Sequence, residues 1–103
     1  MKGVVFLGDR EMEIRELPEP DPGPDEIVID MKASGLCGSD LRQYRSPREG
    51  MANTTVAGHE PCGVVTKIGP RVTDLGVGDR VMMHHYTGCG RCRLCRIGYT
   101  QMC

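Results

Sequence analysis

Apolar residues in this chain fall in short, often alternating runs rather than in a long helical stripe. Val4 to Leu7 is a brief apolar run and Gly8-Asp9 reads as a hairpin turn. Met12, Ile14 and Leu17 then recur at alternate or near-alternate positions. This pattern predicts two strands joined by a tight connection. The stretch from Pro18 to Pro24 holds four prolines. Each removes a backbone donor, so a surface loop is expected there. Ile27, Ile29 and Met31 alternate with Val28, Asp30 and Lys32, predicting a strand that ends near Ser34-Gly35. Asp40 to Arg45 is polar with Leu41 and Tyr44 three apart, which suits one or two helical turns. Residues 46–57 read as loop. A further strand is expected over Gly63–Ile68, stopped by Gly69-Pro70. Leu75–Asp79 reads as a turn and Arg80–Met83 as a strand. About six strands, one short helix and a cysteine-rich lobe result. They predict a mainly β fold, a distorted and partly open β-barrel.

Composition narrows the class. With 103 residues the chain is one domain's worth. Thirteen basic residues against fourteen acidic give no general attraction to nucleic acid or to a membrane surface. No apolar stretch approaches the roughly 18 residues that cross a bilayer. No apolar leader precedes the first strand, so a soluble, cytoplasmic protein is expected. Fourteen glycines and seven prolines favour short strands and turns. The seven methionines show no helical stripe and read as core filling, and Cys62 reads as a small core residue.

The sharpest chemistry lies at the end. Cys89, Cys92, Cys95 and Cys103 are spaced C-x2-C-x2-C-x7-C. Four thiolates at such spacing point to a tetrahedral metal site, with zinc the leading metal. Disulfides are the bland alternative, since six cysteines is an even number, but the clustering in a cytosolic-looking chain argues for metal. An iron–sulfur cluster is a further alternative, yet the ferredoxin run has three residues and not seven before its last cysteine. The chain stops on its fourth cysteine, as expected for the front piece of a longer polypeptide. Upstream, Cys37 stands in Gly35-Leu36-Cys37-Gly38-Ser39-Asp40, and Gly58-His59-Glu60 follows. Each alone is weak: a lone Cys is more often a small buried hydrophobe. Ser39 is also a fitting helix N-cap, Asp40 a fitting first-turn acid, and Glu60 a fitting surface acid. His84 and His85 read as strand-end residues, one of them lining a cleft.

The G-x-C-G-S-D run at 35–40, G-H-E at 58–60, V-G-D-R-V at 77–81 and the cysteine lobe together resemble the zinc-dependent medium-chain alcohol dehydrogenases. The branch it resembles is the one that includes polyol and threonine dehydrogenases. The resemblance covers essentially the whole chain. It implies a GroES-like fold, with residues 1–103 as the front of a catalytic domain and 88–103 as a structural zinc lobe. A nucleotide-binding domain is expected downstream. It implies two zinc ions, one held by Cys89, Cys92, Cys95 and Cys103, the other catalytic. For the second, Cys37 and His59 match ligands, and Glu60 matches a residue that exchanges with water at the metal. A third ligand is expected well beyond residue 103. Ser39 matches the hydroxyl that passes the proton outward, and Asp40 the carboxylate that orients the histidine ligand. The implied reaction is hydride transfer from a small-molecule alcohol or polyol to NAD or NADP. No nucleic-acid or membrane partner is implied, and a homodimer or homotetramer is.

Two departures stand out. Arg42 occupies the place where many members carry a relay histidine, and arginine does not deprotonate in proteins. Gly38 follows the cysteine where some relatives carry a basic residue near the cofactor phosphates. Gly76-Val77-Gly78 and Gly88-Cys89-Gly90 begin a dinucleotide fingerprint, but Val81 and Arg93 replace its third glycine. Nicotinamide use is therefore implied by the resemblance alone, and the segment by itself is expected to be inactive. Two other readings are a stand-alone, non-enzymatic zinc domain used for assembly and an electron-transfer protein with iron in the thiolate lobe.

Overall fold

The computed structural model describes residues 1–49 and 56–103. Five strands form two antiparallel sheets among them. Strands β1 (Lys2–Gly8) and β2 (Glu11–Glu16) make a hairpin. Strands β3 (Ile27–Ser34), β4 (Pro61–Ile68) and β5 (Arg80–Met82) make a sheet in the order β3-β4-β5. Helix α1 (Gly38–Arg45) connects β3 towards β4, and a four-residue helix α2 (Arg93–Arg96) and a 3-10 turn (Thr100–Met102) lie in the cysteine lobe. The fold is mainly β. The strand total is five rather than six among the described residues, and the expected loop over 46–57 lies partly outside them.

The hairpin turns through Asp9 and Arg10, both at positive φ (54° and 66°), as a type I′ connection requires. Their amides donate to the Ser46 and Tyr44 carbonyls at 2.8 and 2.9 Å, which seats the hairpin tip on the end of α1. Phe6 of β1 meets Tyr44 of α1 with ring centroids 5.8 Å apart. The proline-rich loop is held against β4 by Lys67, whose ammonium lies 2.8 Å from the Asp21 carboxylate, and by the Arg71–Asp25 pair.

The core is small. Val5 and Val65 are its fully buried hydrophobic side chains, each 1% exposed. The methionines do not fill it. Met1, Met12, Met31, Met82, Met83 and Met102 are all exposed, and Met51 lies outside the described residues. The pleat explains this, since alternate residues of a strand face opposite ways. Met12 and Ile14 thus stand on a face of β2 that nothing in the described residues covers.

Candidate metal centres

Sheet register builds the first site. β3 and β4 pair as Ala33↔Cys62 and Ser34↔Pro61, so the segment leaving β3 and the segment entering β4 emerge at one end of the ladder. The Gly35 amide donates to the Glu60 carbonyl at 3.0 Å and extends that pairing. A Cβ at Gly35 would overlap the Glu60 carboxylate and lie 3.1 Å from the Glu60 Cβ, so the missing side chain lets Glu60 lie across the strand end. Gly58, at φ +102°, turns the chain immediately before His59, a conformation side-chain-bearing residues rarely adopt. Cys37 is the N-cap of α1. Ser39 therefore sits inside the first turn and is not the cap itself.

One ligand-capable atom each from Cys37, His59 and Glu60 lies within 4.8 Å of the others. Asp40 fastens two of them. It is 4% exposed. One carboxylate oxygen accepts the Cys37 amide at 2.8 Å and the other lies 3.3 Å from His59 Nδ1. That contact engages Nδ1 and leaves Nε2 as the free ring nitrogen. The Ser39 hydroxyl and amide lower the Cys37 thiol from its ordinary value, with help from His59. His59 is raised, first by the Cys37 sulfur and also by Asp40 and Glu60. A lowered thiol is the direction a cysteine ligand needs, since it binds a cation as the thiolate.

A cleft of about 470 Å³ opens beside this cluster, lined by His59, Glu60, Cys62, Met82, Met83, His84 and His85 among others. β5 brings the last four there, because Cys62 pairs with Met82 and the Met83 amide donates to the Pro61 carbonyl at 3.0 Å. The His59 and His85 rings meet edge to face, 5.3 Å between centroids, and His84 stacks on His85 at 5.0 Å. Both histidines line the cleft. Cys62 is half-buried and part of its wall rather than of the core.

The second cluster gathers Cys89, Cys92, Cys95 and Cys103, whose four sulfurs all lie within 4.8 Å of one another. Tetrahedral zinc with bonds of about 2.3 Å would set its sulfurs about 3.8 Å apart, so the cluster fits that ion with little adjustment. Backbone amides point at the sulfurs: Cys89 N–H to Cys103 Sγ at 3.4 Å, Cys92 N–H to Cys89 Sγ at 3.3 Å and Cys95 N–H to Cys92 Sγ at 3.4 Å. Such donors stabilise thiolate. The Arg91 and Cys92 amides draw Cys89 down to about 6. The neighbouring Cys92 sulfur, followed by burial, pushes Cys95 up to about 11. That contrast belongs to sulfurs crowded together with protons to share. Neither α2 nor the 3-10 turn buries a residue, so apolar packing does not hold the lobe.

A mainly β domain carrying two clusters of metal-ligating side chains is the class these features define. A family model for the alcohol dehydrogenase GroES-like domain matches residues 23–103, and the chain belongs to that family. The chain is 39% identical over 106 residues to a sorbitol dehydrogenase of Bacillus subtilis, covering 100% of this chain and 30% of that protein. Alcohol dehydrogenase TADH from Thermus sp. ATN1 superposes with a TM-score of 0.89 at 31% identity, covering 100% of this chain and 30% of that one. The structure of CAD from Helicobacter pylori, complexed with NADP(H), superposes with a TM-score of 0.81 at 27% identity, covering 99% and 30%. The chain thus spans about a third of the length of the relatives it matches.

Proposed function

We propose that this chain is the metal-bearing front part of the catalytic domain of a zinc-dependent, nicotinamide-dependent dehydrogenase acting on a small alcohol or polyol. The observation that carries the reading is the Cys37–His59–Glu60 cluster with Asp40 buried behind it. Cys37 and His59 suit two of the three ligands of a catalytic zinc, the third comes from beyond residue 103, and Glu60 shares the open position with water. The four-cysteine lobe, residues 88–103, would hold a second, structural zinc with a closed ligand set. When bound at the first site, zinc supplies a Lewis acid that favours ionisation of an alcohol near neutral pH.

This chain's own residues do the rest. Asp40 holds His59 in one ring orientation and Cys37 at the helix start, so the site is formed before substrate arrives. Ser39, exposed and beside the Cys37 sulfur, takes the proton the alcohol releases at its Oγ and hands it to solvent. Arg42 cannot continue that relay, so the proton leaves through water. His84, His85 and the two methionines line the cleft on the opposite strand and meet the substrate's carbon skeleton. NAD or NADP is the hydride acceptor, bound by a further nucleotide-binding domain. The protein is cytoplasmic and works as a homodimer or homotetramer, and neither nucleic acid nor a membrane is a partner. Among the described residues no helix is long and apolar enough to cross a membrane.

The test is the increase in absorbance of reduced nicotinamide when the full-length protein meets alcohols and polyols, compared between native protein and Cys37→Ala. Activity lost in the variant supports the reading. Activity retained in full contradicts it.

A further inference from the structure

The cysteine lobe lies in a stretch of one-sided charge. Residues 80–103 contain four arginines and no Asp, Glu or Lys. Three of the arginines interleave with the sulfurs, in the run Cys89-Gly90-Arg91-Cys92-Arg93-Leu94-Cys95-Arg96. Each of the three is bonded to a cysteine of the set, with neighbouring Cα atoms about 3.8 Å apart. The Arg91 amide itself faces the Cys89 sulfur. All three side chains are exposed, and among the described residues none takes part in an ion pair or side-chain hydrogen bond. Arg48 and Arg71 differ, since they pair with Glu11 and Asp25. Arg93 and Arg96 stand about one turn apart on α2 and share a shallow hollow of about 310 Å³ with Ile97. Three cations within six residues repel one another unless an anion lies among them. No side chain of this stretch supplies one. A filled metal centre does, because a divalent ion on four thiolates carries a net charge of two minus.

We propose that Arg91, Arg93 and Arg96 form a cationic collar around the four-cysteine centre, and that their charge helps the lobe retain a divalent metal ion. The proposal rests on the reading of residues 88–103 as a zinc lobe and adds side chains outside the ligand set that hold the metal there. The collar acts by charge and not by a fixed contact, which is why exposed, unpaired arginines suit it. Arginine keeps its charge at every accessible pH. The effect of each is small. A cation about 8 Å from a doubly negative centre in salt water gives roughly a twofold preference for the loaded lobe, and three together give roughly fivefold to tenfold. Without the metal centre the three cations have no counter-charge, so the collar favours the loaded lobe over the empty one.

The experiment measures zinc affinity of the full-length, reduced protein by competition with a chromogenic chelator. Cys37→Ala is the background throughout, so that the lobe's ion is the one counted. Three proteins are compared: this background, the same with Arg91→Gln, Arg93→Gln and Arg96→Gln together, and the same with all three changed to Lys. At about 0.1 M salt the glutamine triple should bind zinc roughly fivefold to tenfold more weakly. The lysine triple should bind as the background does, since it keeps the charges and loses only the forked donors. At about 1 M salt the gap between background and glutamine triple should close, because screening then reaches only about 3 Å. A role in packing alone would leave that gap independent of salt. Equal affinity of the glutamine triple and the background at about 0.1 M overturns the collar while the zinc lobe stands. So does a lysine triple as weak as the glutamine one, or a gap that persists at about 1 M. Should the glutamine triple fail to fold, the lysine triple and the salt dependence of the background decide: affinity lost with lysine, or none lost between about 0.1 and 1 M salt, overturns the collar. No zinc in the background protein with its thiols reduced overturns the zinc-lobe reading and the collar with it.

Discussion

Asp40 lies 3.3 Å from His59 Nδ1 with its carboxylate buried, while its second oxygen accepts the Cys37 amide at 2.8 Å. One carboxylate therefore fixes the N-cap residue of α1, Cys37, and a residue of the segment entering β4, His59. The two lie 22 positions apart in sequence. Asp40→Asn keeps the shape and removes the charge. It should lower metal affinity at the Cys37–His59 cluster by about 10- to 100-fold, the usual cost of losing such a partner. Chelator competition monitored with a chromogenic dye measures it, and affinity equal to the native protein would show that Asp40 is merely a capping residue.

Gly35 accommodates Glu60. In Gly35→Ala the new methyl would meet both the Glu60 carboxylate and its Cβ. The strand end or the Glu60 side chain must shift, at a cost of about 1–3 kcal/mol. Thermal melting should register that loss. Combining the change with Glu60→Ala should restore most of it, and no recovery in the double variant would place the strain elsewhere.

The cysteine lobe buries no residue in α2 or in its 3-10 turn. Its order should therefore depend on metal. Hydrogen exchange read by mass spectrometry should show fast exchange over 89–103 after chelation or in Cys92→Ala, with β3 and β4 still protected. Protection of the lobe without metal would mean that packing or a disulfide holds it.

Asp21 is lowered and Lys67 raised, each chiefly by hydrogen bonding to the other. The lowered acid contributes stability above its unfolded value near 3.8, lost as pH falls through the folded value. The raised amine contributes below 10.5, lost as pH rises through its folded value. The pair therefore acts between these limits, and weakly, because both groups are exposed. Asp21→Asn should lower the melting temperature slightly at pH 7. It should make no difference at pH 2 or in 1 M salt, where screening removes the pair. A difference that persists at pH 2 would assign it to something other than charge.

How much of this was legible in the sequence follows from what sets each feature. The C-x2-C-x2-C-x7-C spacing of the lobe is written directly in the chain, whereas Cys37, His59 and Glu60 were grouped by the family resemblance, each motif being weak alone. The strand at Ile27 was legible from alternation, and those at Val4, Val64 and Val81 from short apolar runs bounded by turn residues. The fate of the methionines was not, because alternation tells which face is apolar but not whether anything covers it. Met82 is 83% exposed. The Cys37 cap was missed because a thiol is not among the usual caps, and α2 because four residues are too few to show a period. The cleft walled by Cys62, His84 and His85 needed the β4–β5 register, which no local pattern reveals.

The most direct test is zinc per polypeptide by elemental analysis of the full-length protein, native and with Cys37→Ala or Cys92→Ala. Two zinc ions in the native protein and one in each variant is the expected result, with alcohol oxidation lost in Cys37→Ala. One zinc in both the native protein and Cys37→Ala would contradict the catalytic site, and no zinc at all would contradict both.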